Sequence, residues 1–535
     1  MKRAFVQISK AGDIFSVIPI LYAEYQRTGQ IQNLVVSERF SPLLNGFSYI
    51  NPAIFNGHWS DLKGAIKWAK SQFDEVLVLQ THGKDFPFQH KTPSFQIESY
   101  LRAGYVDRWD ELPLVVDNRN KQREYALTSR IIGRKKKPFI LIGDSSESSP
   151  FEFVAELIEM LEKGFPNHRI VKLSEVKAEY VFDLLGLYDK ADLLVTTETV
   201  HSHLSTASEV PTIVLAANGW RGTACSKKFK FYCRYSEWQH RKHRLISEAQ
   251  AVVAGIEPPK MRPVETLHKS GYNLSLVDFK GNKVGVYRYH NGSWKTQLSI
   301  IVGGECFHLH CAPSVSEFSI EDCRAFVFKG KLHGAYTVSM AHAGFFKCYM
   351  AYGEITEKDG IWSIGHIHIL RQGNDFTGLE KNWCPMVIAD KLYFLYGIKG
   401  ENQITLEVHG DKVQAEHQSP APKWNNGQIR GGCVIPQGDK LLRFFHSRTD
   451  YPDKNFRYFT GVAVMESRPP FNTIKVCRGA ILSGNEIYTP NCPQWKRNCC
   501  LPYGVIKDGD KFLLSVGLND CKSAVVELSE YQLKL

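Results

Sequence analysis

The pattern of apolar residues changes near residue 260, and this change constrains the fold more than any other feature of the sequence. Before it, strand-like apolar runs such as 138–143 alternate with helical patterns such as 150–163. Strands that are separated by single helices predict parallel βαβ units. After it, short strands follow one another, and turn pairs such as Asn291-Gly292 separate them. We therefore predict an α/β part followed by an all-β part.

Two breaks divide the chain further. A polar and basic stretch at 117–137 interrupts the α/β part, and a stretch with several prolines, near residue 260, ends it. A chain of 535 residues also exceeds what one hydrophobic core supports. The prediction is a first lobe at 1–125, a second lobe at 126–258, a linker at 259–270 and an all-β domain at 271–535.

The strands of the all-β domain are grouped in blocks of about 50 residues, which is typical of repeated β-sheet units. Turn residues punctuate each block, so that one block is long enough for one small antiparallel sheet. This spacing predicts a β-propeller of about five blades, and a large β-sandwich is the alternative.

Composition excludes several classes of protein. No apolar run reaches the roughly 18 residues that a membrane-spanning helix needs, and residues 1–8 fit a first β-strand better than a signal peptide. The 13 cysteines form no C-x-x-C pair and their number is odd, which favours free thiols in a reducing compartment. Cys492, Cys499 and Cys500 match no zinc pattern. We expect a cytoplasmic protein without a membrane span, a metal or a cofactor.

The formal net charge is +11, and the densest basic run lies at 220–244. The run contains eight basic residues, among them Arg221, and a single acidic residue, Glu237. Aromatic residues are interspersed among them. Such a run suits a nucleotide, a charged glycan or single-stranded nucleic acid. A solvated face whose aromatic residues belong to the core explains the same pattern, and the sequence does not separate the two interpretations.

Two polar turns in the α/β part follow strand-like runs and precede helical patterns. The first is Lys10-Ala11-Gly12-Asp13, and the second begins at Glu198. Sheets of this class bind ligands outside the carboxyl ends of their strands. Two such turns in two sheets predict a cleft between two Rossmann-like lobes and an enzyme that binds a phosphorylated ligand.

These turns carry a family resemblance. The segment 8–14, then Pro19 and the strand-like segment 34–40, resembles the opening of the bacterial heptosyltransferases, GT-B enzymes that use ADP-heptose to build the lipopolysaccharide core. The family's Asp-Thr-Gly signature, followed by Ser-His-Leu, appears here with Glu198 in place of Asp and Val200 in place of Gly. The family's lysine is absent from 141–150. The resemblance implies twin Rossmann-like lobes but does not extend to ADP-heptose as the donor.

The resemblance also implies roles for residues of both turns. Asp13 is expected to be the base that takes the proton of the acceptor hydroxyl, and a helix N-cap is the alternative role. Backbone N–H groups of helices beginning near 146–151 and 199–203 are expected to hold the diphosphate. For His203, a buried helix histidine is the alternative to a donor contact. The expected donor-binding residues are Lys10, Gly12, Ser145, Ser146, Glu198, Thr199, Ser202, His203 and Arg221.

The all-β domain carries a second resemblance. The segments 321–324, 382–385, 430–432, 445–446, 458–461 and 517–520 resemble those of the five-bladed propellers of beta-mannoside phosphorylases and related glycoside hydrolases. Cys323 stands where that group has proline. The resemblance implies a sugar or phosphate site whose residues are Asp322, Arg324, Glu380, Arg430, His446, Tyr458 and Asp520.

Hydrolysis of a glycoside needs two carboxyl groups that flank the scissile bond. Glu321 and Asp322 are neighbours in the sequence, so an extended strand would point them to opposite faces. The sequence therefore predicts that they do not form this pair by themselves. Glu305 and Glu380 are the other candidates.

The expected function is transfer of a sugar, with inversion, from a nucleotide-diphosphate sugar to a glycan acceptor, with a propeller that binds or processes the glycan. One alternative acceptor is nucleic acid, such as the modified bases of phage-type DNA. Another alternative is a non-catalytic glycan-binding protein, which the departures at Glu198 and Val200 favour. In the third, the propeller itself is a glycoside phosphorylase or hydrolase.

Overall fold

The computed structural model describes residues 2–81, 95–109, 111–133, 137–146, 150–217, 229–255, 260–264, 271–290, 295–311, 318–342, 345–370, 381–424, 426–450, 456–483 and 499–533. The chain forms two compact units, Met1–Pro258 and Pro259–Leu535. None of the helices in these ranges is long and apolar enough to cross a membrane.

The first sheet of the N-terminal unit is parallel, and its strand order is β3-β2-β1-β4. Its central strands are buried on both faces, which is why they are continuous apolar runs such as 34–36. The first helix ends at Gly29, whose positive φ of 68° suits glycine. The elements are β1 (Arg3–Val6), α1 (Ala11–Thr28), β2 (Gln32–Ser37), β3 (Ile50–Phe55), α2 (Leu62–Gln72), β4 (Glu75–Val78) and α3 (Phe95–Ala103).

The second sheet of this unit is also parallel, with the order β6-β5-β7-β8-β9. The strand order reverses between β5 and β7, the kind of position at which open α/β sheets bind ligands. The prediction of an α/β part is thereby confirmed. The elements are α4 (Lys121–Ile132), β5 (Phe139–Gly143), α5 (Val154–Gly164), β6 (Arg169–Lys172), α6 (Leu184–Tyr188), β7 (Leu193–Thr197), α7 (Val200–Leu204), β8 (Thr212–Ala216), β9 (Phe229–Arg234) and α8 (Trp238–Val253).

One apolar core joins the two sheets of the N-terminal unit. It includes Phe5 and Ile14 from the first sheet and its helix, and Leu141, Leu194 and Leu204 from the second. Helices α1 and α7 are in contact. The two turns that the sequence singled out therefore lie near each other, at the carboxyl ends of β1 and β7.

The described part of the basic run, 229–244, is built into this unit. Cys233 and Trp238 belong to a buried apolar cluster, and Trp238 donates a hydrogen bond to Glu156 at 2.6 Å. Lys242 pairs with the same carboxylate at 2.7 Å. The aromatic Trp238 is thus a core residue, as the structural interpretation of the run predicted, and Arg221 lies outside the described residues.

In the described residues, the C-terminal unit forms five antiparallel sheets, four of four strands and one of five strands. The outer strands β14 and β18 of the first two sheets also pair with each other in parallel. The strands are β10 (Lys260–Pro263), β11 (Tyr272–Phe279), β12 (Asn282–His290), β13 (Thr296–Val302), β14 (Glu305–Cys311), β15 (Ser319–Phe328), β16 (Lys331–His342), β17 (Phe345–Lys358), β18 (Ile361–Leu370), β19 (Cys384–Ile388), β20 (Lys391–Lys399), β21 (Asn402–His409), β22 (Lys412–Pro420), β23 (Gln428–Gln437), β24 (Lys440–Asp450), β25 (Phe456–Glu466), β26 (Thr473–Val476), β27 (Leu482–Ser483), β28 (Cys500–Asp508), β29 (Lys511–Leu518) and β30 (Lys522–Ser529).

The first strand of each sheet lines a central channel. These inner strands are β11, β15, β19, β23 and β28, and each one contacts the next, with β28 returning to β11. A closed ring of inner strands, each followed outward by the rest of its sheet, is the arrangement of a five-bladed β-propeller. The propeller prediction for the C-terminal half is confirmed, and the β-sandwich alternative is wrong.

The predicted linker at 259–270 is wrong over Lys260–Pro263. These residues form β10, which pairs with β30, the outermost strand of the last blade, in the register Lys260↔Glu527 to Pro263↔Ala524. The reason is that β30 would otherwise expose an unpaired edge, and a strand from the beginning of the domain covers it. Residues 265–270 lie outside the described ranges.

Candidate active site

Four of the five inner strands of the propeller carry β-bulges near their starts. The strand register shifts at 272–275, 321–324 and 430–433, and also in the fifth inner strand. Asn273 has a φ of 58° and Asp322 a φ of 52°. Asn and Asp tolerate this left-handed conformation better than other residues with a Cβ. A bulge changes the direction in which side chains point. Here the bulges direct polar groups towards one end of the channel, and we call that end the channel mouth.

Three carboxylates surround one buried arginine at the channel mouth. Arg288, on β12, has Glu321 at 3.3 Å, Asp322 at 3.4 Å and Asp520 at 3.7 Å. The ring of Tyr272 lies 4.5 Å from the guanidinium carbon. Arg288 therefore offsets part of the mutual repulsion of the three acids. Glu321 and Asp322 lie on β15, and Asp520 follows β29.

The expectation that Glu321 and Asp322 point to opposite faces is wrong. Both side chains lie against Arg288, because the strand is not regularly extended at this point. The register of β15 against β16 shifts between Glu321 and Arg324, and Asp322 adopts a positive φ. Such a bulge interrupts the alternation of side chains along a strand.

Asn273 connects two of the three acids. Its side-chain Nδ2 donates to Asp322 Oδ1 at 2.9 Å and to Asp520 Oδ1 at 3.2 Å. Burial opposes ionisation of Asp322, but Arg288, Arg324 and this hydrogen bond outweigh it and lower its pKa to about 2. Asp322 is therefore a carboxylate at neutral pH and accepts hydrogen bonds.

Arg324 lies in the channel, next to the acids. Its guanidinium donates to the carbonyl oxygens of Gly432 and Asp322, both at 3.1 Å, and to Asn382 Oδ1 at 3.4 Å. It also lies 4.9 Å from the ring centroid of Tyr503. A cavity of about 240 Å³ extends along the channel from Arg324 and is lined by residues of all five inner strands. Arg324 thus lines this cavity and also contacts Asp322.

Arginine side chains of the fourth blade make one side of the channel mouth cationic. Arg443 is buried and donates to Gln403 and to the carbonyl oxygen of Gly431, and burial lowers its pKa to about 10. Arg430 is exposed and contacts Gln428 at 3.1 Å. Among the described residues, Arg324, Arg430 and Arg443 form no ion pair with a carboxylate.

His446 and Tyr458 complete this side, with ring centroids 5.8 Å apart. A Cβ at Gly431 would lie 2.8 Å from the His446 ring and 3.3 Å from Arg324, so His446 lies next to the arginines. Burial, with Arg324 and Arg430 adding to it, lowers the pKa of His446 to about 3. His446 is therefore neutral near pH 7.

One of the two remaining carboxyl candidates, Glu305, lies away from the channel. Glu305 begins β14, the outer strand of the first blade, and is exposed. The suggestion that it forms the catalytic pair is therefore wrong, since outer strands do not line the channel. Glu380 lies outside the described residues.

In the N-terminal unit, the structure brings Gly12, Asp13 and His203 together. A Cβ at Gly12 would lie 3.6 Å from the His203 ring. Burial lowers the pKa of His203 to about 4, and the nearby Asp13 opposes this shift. Asp13 accepts a hydrogen bond from Ser9 Oγ at 3.0 Å. The N-cap role for Asp13 is wrong, because helix α1 has Lys10 at that position.

Of the other predicted donor residues, Ser145, Ser146, Glu198, Thr199 and Ser202 follow the carboxyl ends of β5 and β7, and Lys10 follows β1. Thr199 caps α7 by accepting from the His201 backbone at 3.3 Å, and Ser202 is buried and donates to the Thr199 carbonyl oxygen. Lys10 is exposed and lies 5.8 Å from the ring centroid of Trp59. The predicted helix start near 146–151 is instead at Val154. Glu198 and Ser146 are half-buried, Ser145 is exposed, and Arg221 is outside the described ranges.

No family model matches the sequence, and no curated protein matches it. Among solved structures, the chain is similar to a mannose phosphorylase from Leishmania mexicana in complex with phosphate ion (10% identity, 54% of this chain and 94% of that one, TM-score 0.39). It is also similar to beta-1,2-mannobiose phosphorylase from Listeria innocua (14%, 51% and 95%, 0.36) and to a glycosyl hydrolase from Bacteroides ovatus (11%, 50% and 91%, 0.38).

Sequence reasoning missed Asn273, Arg288, Asn382 and Arg443. Arg288 and Arg443 lie on second strands of their blades, where the alternating pattern alone does not distinguish them from surface arginines. Asn273 and Asn382 had a usable signal. Like Asp322, they are Asn or Asp residues near the start of an inner strand and have a positive φ, which these residue types tolerate better than most others.

Proposed function

We propose that this chain is a carbohydrate-active enzyme and that the channel mouth of the propeller cleaves a glycoside with inorganic phosphate as the co-substrate. One observation carries the proposal. The carboxylates around Arg288 share the channel mouth with three guanidinium groups near His446, those of Arg324, Arg430 and Arg443, that have no ion pair with a carboxylate in the described part of the chain. The site thus combines acceptors for sugar hydroxyls with unneutralised positive charge.

The two sides of the channel mouth suit the two substrates. Carboxylates accept hydrogen bonds from sugar hydroxyls, and the side chains of Glu321 and Asp520 are each 18% exposed, so that a ligand reaches them. Guanidinium groups match the oxygens of phosphate. Arg430 is exposed and would contact the phosphate directly, whereas Arg324 and Arg443 are buried and would act through their positive potential.

The proposed reaction is a displacement at the anomeric carbon. A phosphate oxygen forms the new bond while the glycosidic carbon–oxygen bond breaks, and the bonding electron pair stays with the leaving sugar oxygen. That oxygen takes up a proton that dihydrogen phosphate releases. The ionised Asp322 stabilises the positive charge that develops on the sugar ring. The products are a sugar 1-phosphate and a glycan shortened by one sugar.

The proposal predicts that cleavage depends on phosphate. With a panel of mannosides and other glycosides, we expect sugar 1-phosphate to form only when phosphate is present. Arg430→Gln should raise the KM for phosphate by about tenfold or more, because one charge-assisted contact is lost. The measurement is product chromatography at varied phosphate concentration.

Arg468→Gln is the matched control, since Arg468 is an exposed arginine in the β25–β26 connection, at the other end of the same blade. Cleavage at the same rate without phosphate would show hydrolysis instead. If no glycoside of the panel is cleaved under either condition, the proposal for the propeller is wrong.

A second candidate function is sugar transfer from a nucleotide sugar by the N-terminal unit, with its two sheets as the lobes of a GT-B fold. The observation that favours it is the contact between the first turn of α1 and α7, which places Asp13 beside His203. We propose a glycan acceptor rather than nucleic acid, because Trp238 and Lys242 of the basic run are engaged within the fold.

For this candidate, Asp13→Asn should lower transfer by a factor of about 10² or more, since a positioned general base contributes that much. Donor binding should stay within a few-fold, because the base acts on the acceptor. Turnover of a nucleotide-sugar panel and thermal stabilisation by each donor measure the two effects. Near-normal transfer by the variant would contradict the role of Asp13, and Asp322→Asn is the control that leaves this unit unchanged.

A further inference from the structure

Asn273 occupies a position that few residues could fill. It lies in the bulge of β11 with a φ of 58°, and its side chain is 1% exposed. A Cβ at Gly517, on β29, would lie 1.9 Å from Asn273 Oδ1. The absence of a side chain at Gly517 therefore leaves the space that the Asn273 amide occupies, and the direction of the amide is set by the packing of two strands.

The amide stands between the facing oxygens of two acids. Its Nδ2 donates to Oδ1 of Asp322 and to Oδ1 of Asp520, and Arg288 contacts the same two oxygens. Two carboxylates that accept from one amide nitrogen lie close enough to repel each other, and without that donor one of them retains its proton to higher pH. The amide N–H groups of Asn273 therefore stabilise the ionised form of the two facing oxygens.

We propose that Asn273 is a positioning residue that holds the carboxylates of Asp322 and Asp520 apart and so keeps Asp322 ionised while the sugar reacts. This inference rests on the proposed function of the propeller and adds to it the group that keeps Asp322 ionised. The amide itself does not contact the reacting atoms.

His446 and three tyrosines near the pair keep the same charge between pH 4 and 8. The charged groups that face the pair are Arg288, Arg324, Glu321 and Lys381. His446 is already neutral in this range, since burial lowers its pKa to about 3. Burial raises the pKa of Tyr272, Tyr458 and Tyr503, which therefore keep their protons.

Two variants of the full chain remove the amide in different ways. Asn273→Gly deletes the side chain without backbone strain, because glycine accepts a positive φ. Gly517→Ala leaves Asn273 in place but pushes its amide, as the 1.9 Å distance requires. The control is Ser523→Ala. Ser523 is also buried and accepts from the backbone N–H of Leu274, the neighbour of Asn273, at 3.0 Å, yet it does not touch either acid.

The first readout is the pH dependence of glycoside phosphorolysis. We expect Asn273→Gly and Gly517→Ala to move the acid limb of the kcat/KM profile upwards by about one pH unit or more, because an uncovered carboxylate pair retains a proton to higher pH. Ser523→Ala should lower stability without moving the limb. The inference is overturned if the limb of both variants coincides with that of the wild type.

The second readout needs no substrate. The low pKa of Asp322 stabilises the fold above the unfolded-state pKa, near 4, and this contribution is lost as the pH falls towards 2. The gap in Tm between wild type and Asn273→Gly should therefore shrink by about 2 °C or more from pH 7 to pH 3. For Ser523→Ala the gap should not change. An unchanged gap for Asn273→Gly also overturns the inference.

The two readouts separate the inference from the function on which it rests. If the wild-type protein cleaves no glycoside, the proposed function has failed, and the Tm measurement still decides whether Asn273 keeps the two acids apart. If the wild type is active but both readouts of Asn273→Gly follow the Ser523→Ala control, only the inference has failed.

Discussion

Asp322→Asn should lower kcat/KM for glycoside phosphorolysis by a factor of about 10³. The side chain keeps its shape but loses the negative charge that faces the sugar, and removal of one such stabilising group from a preorganised site typically has this effect. Because Asp322 is ionised at neutral pH, the loss should be present across the whole pH range of activity. Initial rates with the best glycoside of the panel measure it.

The same substitution should also destabilise the propeller at neutral pH. A pKa lowered from near 4 to about 2 corresponds to roughly 2 kcal/mol of stability. The sign follows from the direction of the shift: this contribution is complete above the unfolded-state pKa and is lost as the pH falls through the folded-state pKa. The stability difference between wild type and variant should therefore be largest at pH 7 and small near pH 2.

Asp508→Asn is the matched control for the first prediction. Asp508 is an exposed aspartate in the same unit, at the β28–β29 turn, and pairs with Lys283 at 2.6 Å. Exposed pairs of this kind contribute little, so activity and stability should both remain close to those of the wild type. If Asp322→Asn retained more than about a tenth of the wild-type rate, the assignment of the channel mouth as the active site would be wrong.

A propeller fragment that begins at residue 259 should be more stable than one that begins at residue 265. The longer fragment keeps β10, whose four residues pair with β30, while Met261 packs on the apolar core and Arg262 pairs with Glu527 at 2.8 Å. Loss of this ladder is expected to cost about 3 kcal/mol. The Tm should fall by roughly 10 °C, as measured by calorimetry of the two purified fragments.

The shorter fragment should also associate more readily, since β30 then presents an unpaired strand edge. Arg262→Gln in the longer fragment is the control. It removes only the exposed ion pair and should lower stability by less than about 1 kcal/mol. Equal Tm values for the two fragments would mean that β10 does not contribute to closure of the ring.

The α/β part and the propeller could be predicted because their signals are local. The apolar run that becomes β5 and the helical pattern that becomes α5 lie within single segments, and the period of side chains along a segment depends on its own geometry. Strand pairing was not predictable in the same way. Strand β10, at the beginning of the domain, pairs with β30, near its end. Part of the segment that was predicted as a linker therefore belongs to a blade.

The chemistry of the channel mouth was only partly predictable for a related reason. The resemblance named Asp322, Arg324 and Asp520, but the rule of alternating side chains placed Glu321 and Asp322 on opposite faces. The bulge that brings them together depends on the register of β15 against β16. That register is a property of two strands and is not visible in either strand alone.

The amino-acid sequence by itself determined the division into an α/β part and a propeller, since periodicity and turn residues act over short distances. Only the tertiary structure decided which charged groups meet. Closure of five inner strands into a ring brings Asn273, Asp322 and Asp520 into hydrogen-bond contact and places Arg288 beside both acids. Electrostatic and hydrogen-bond interactions act through space at a few ångströms, so distance along the chain does not reveal them.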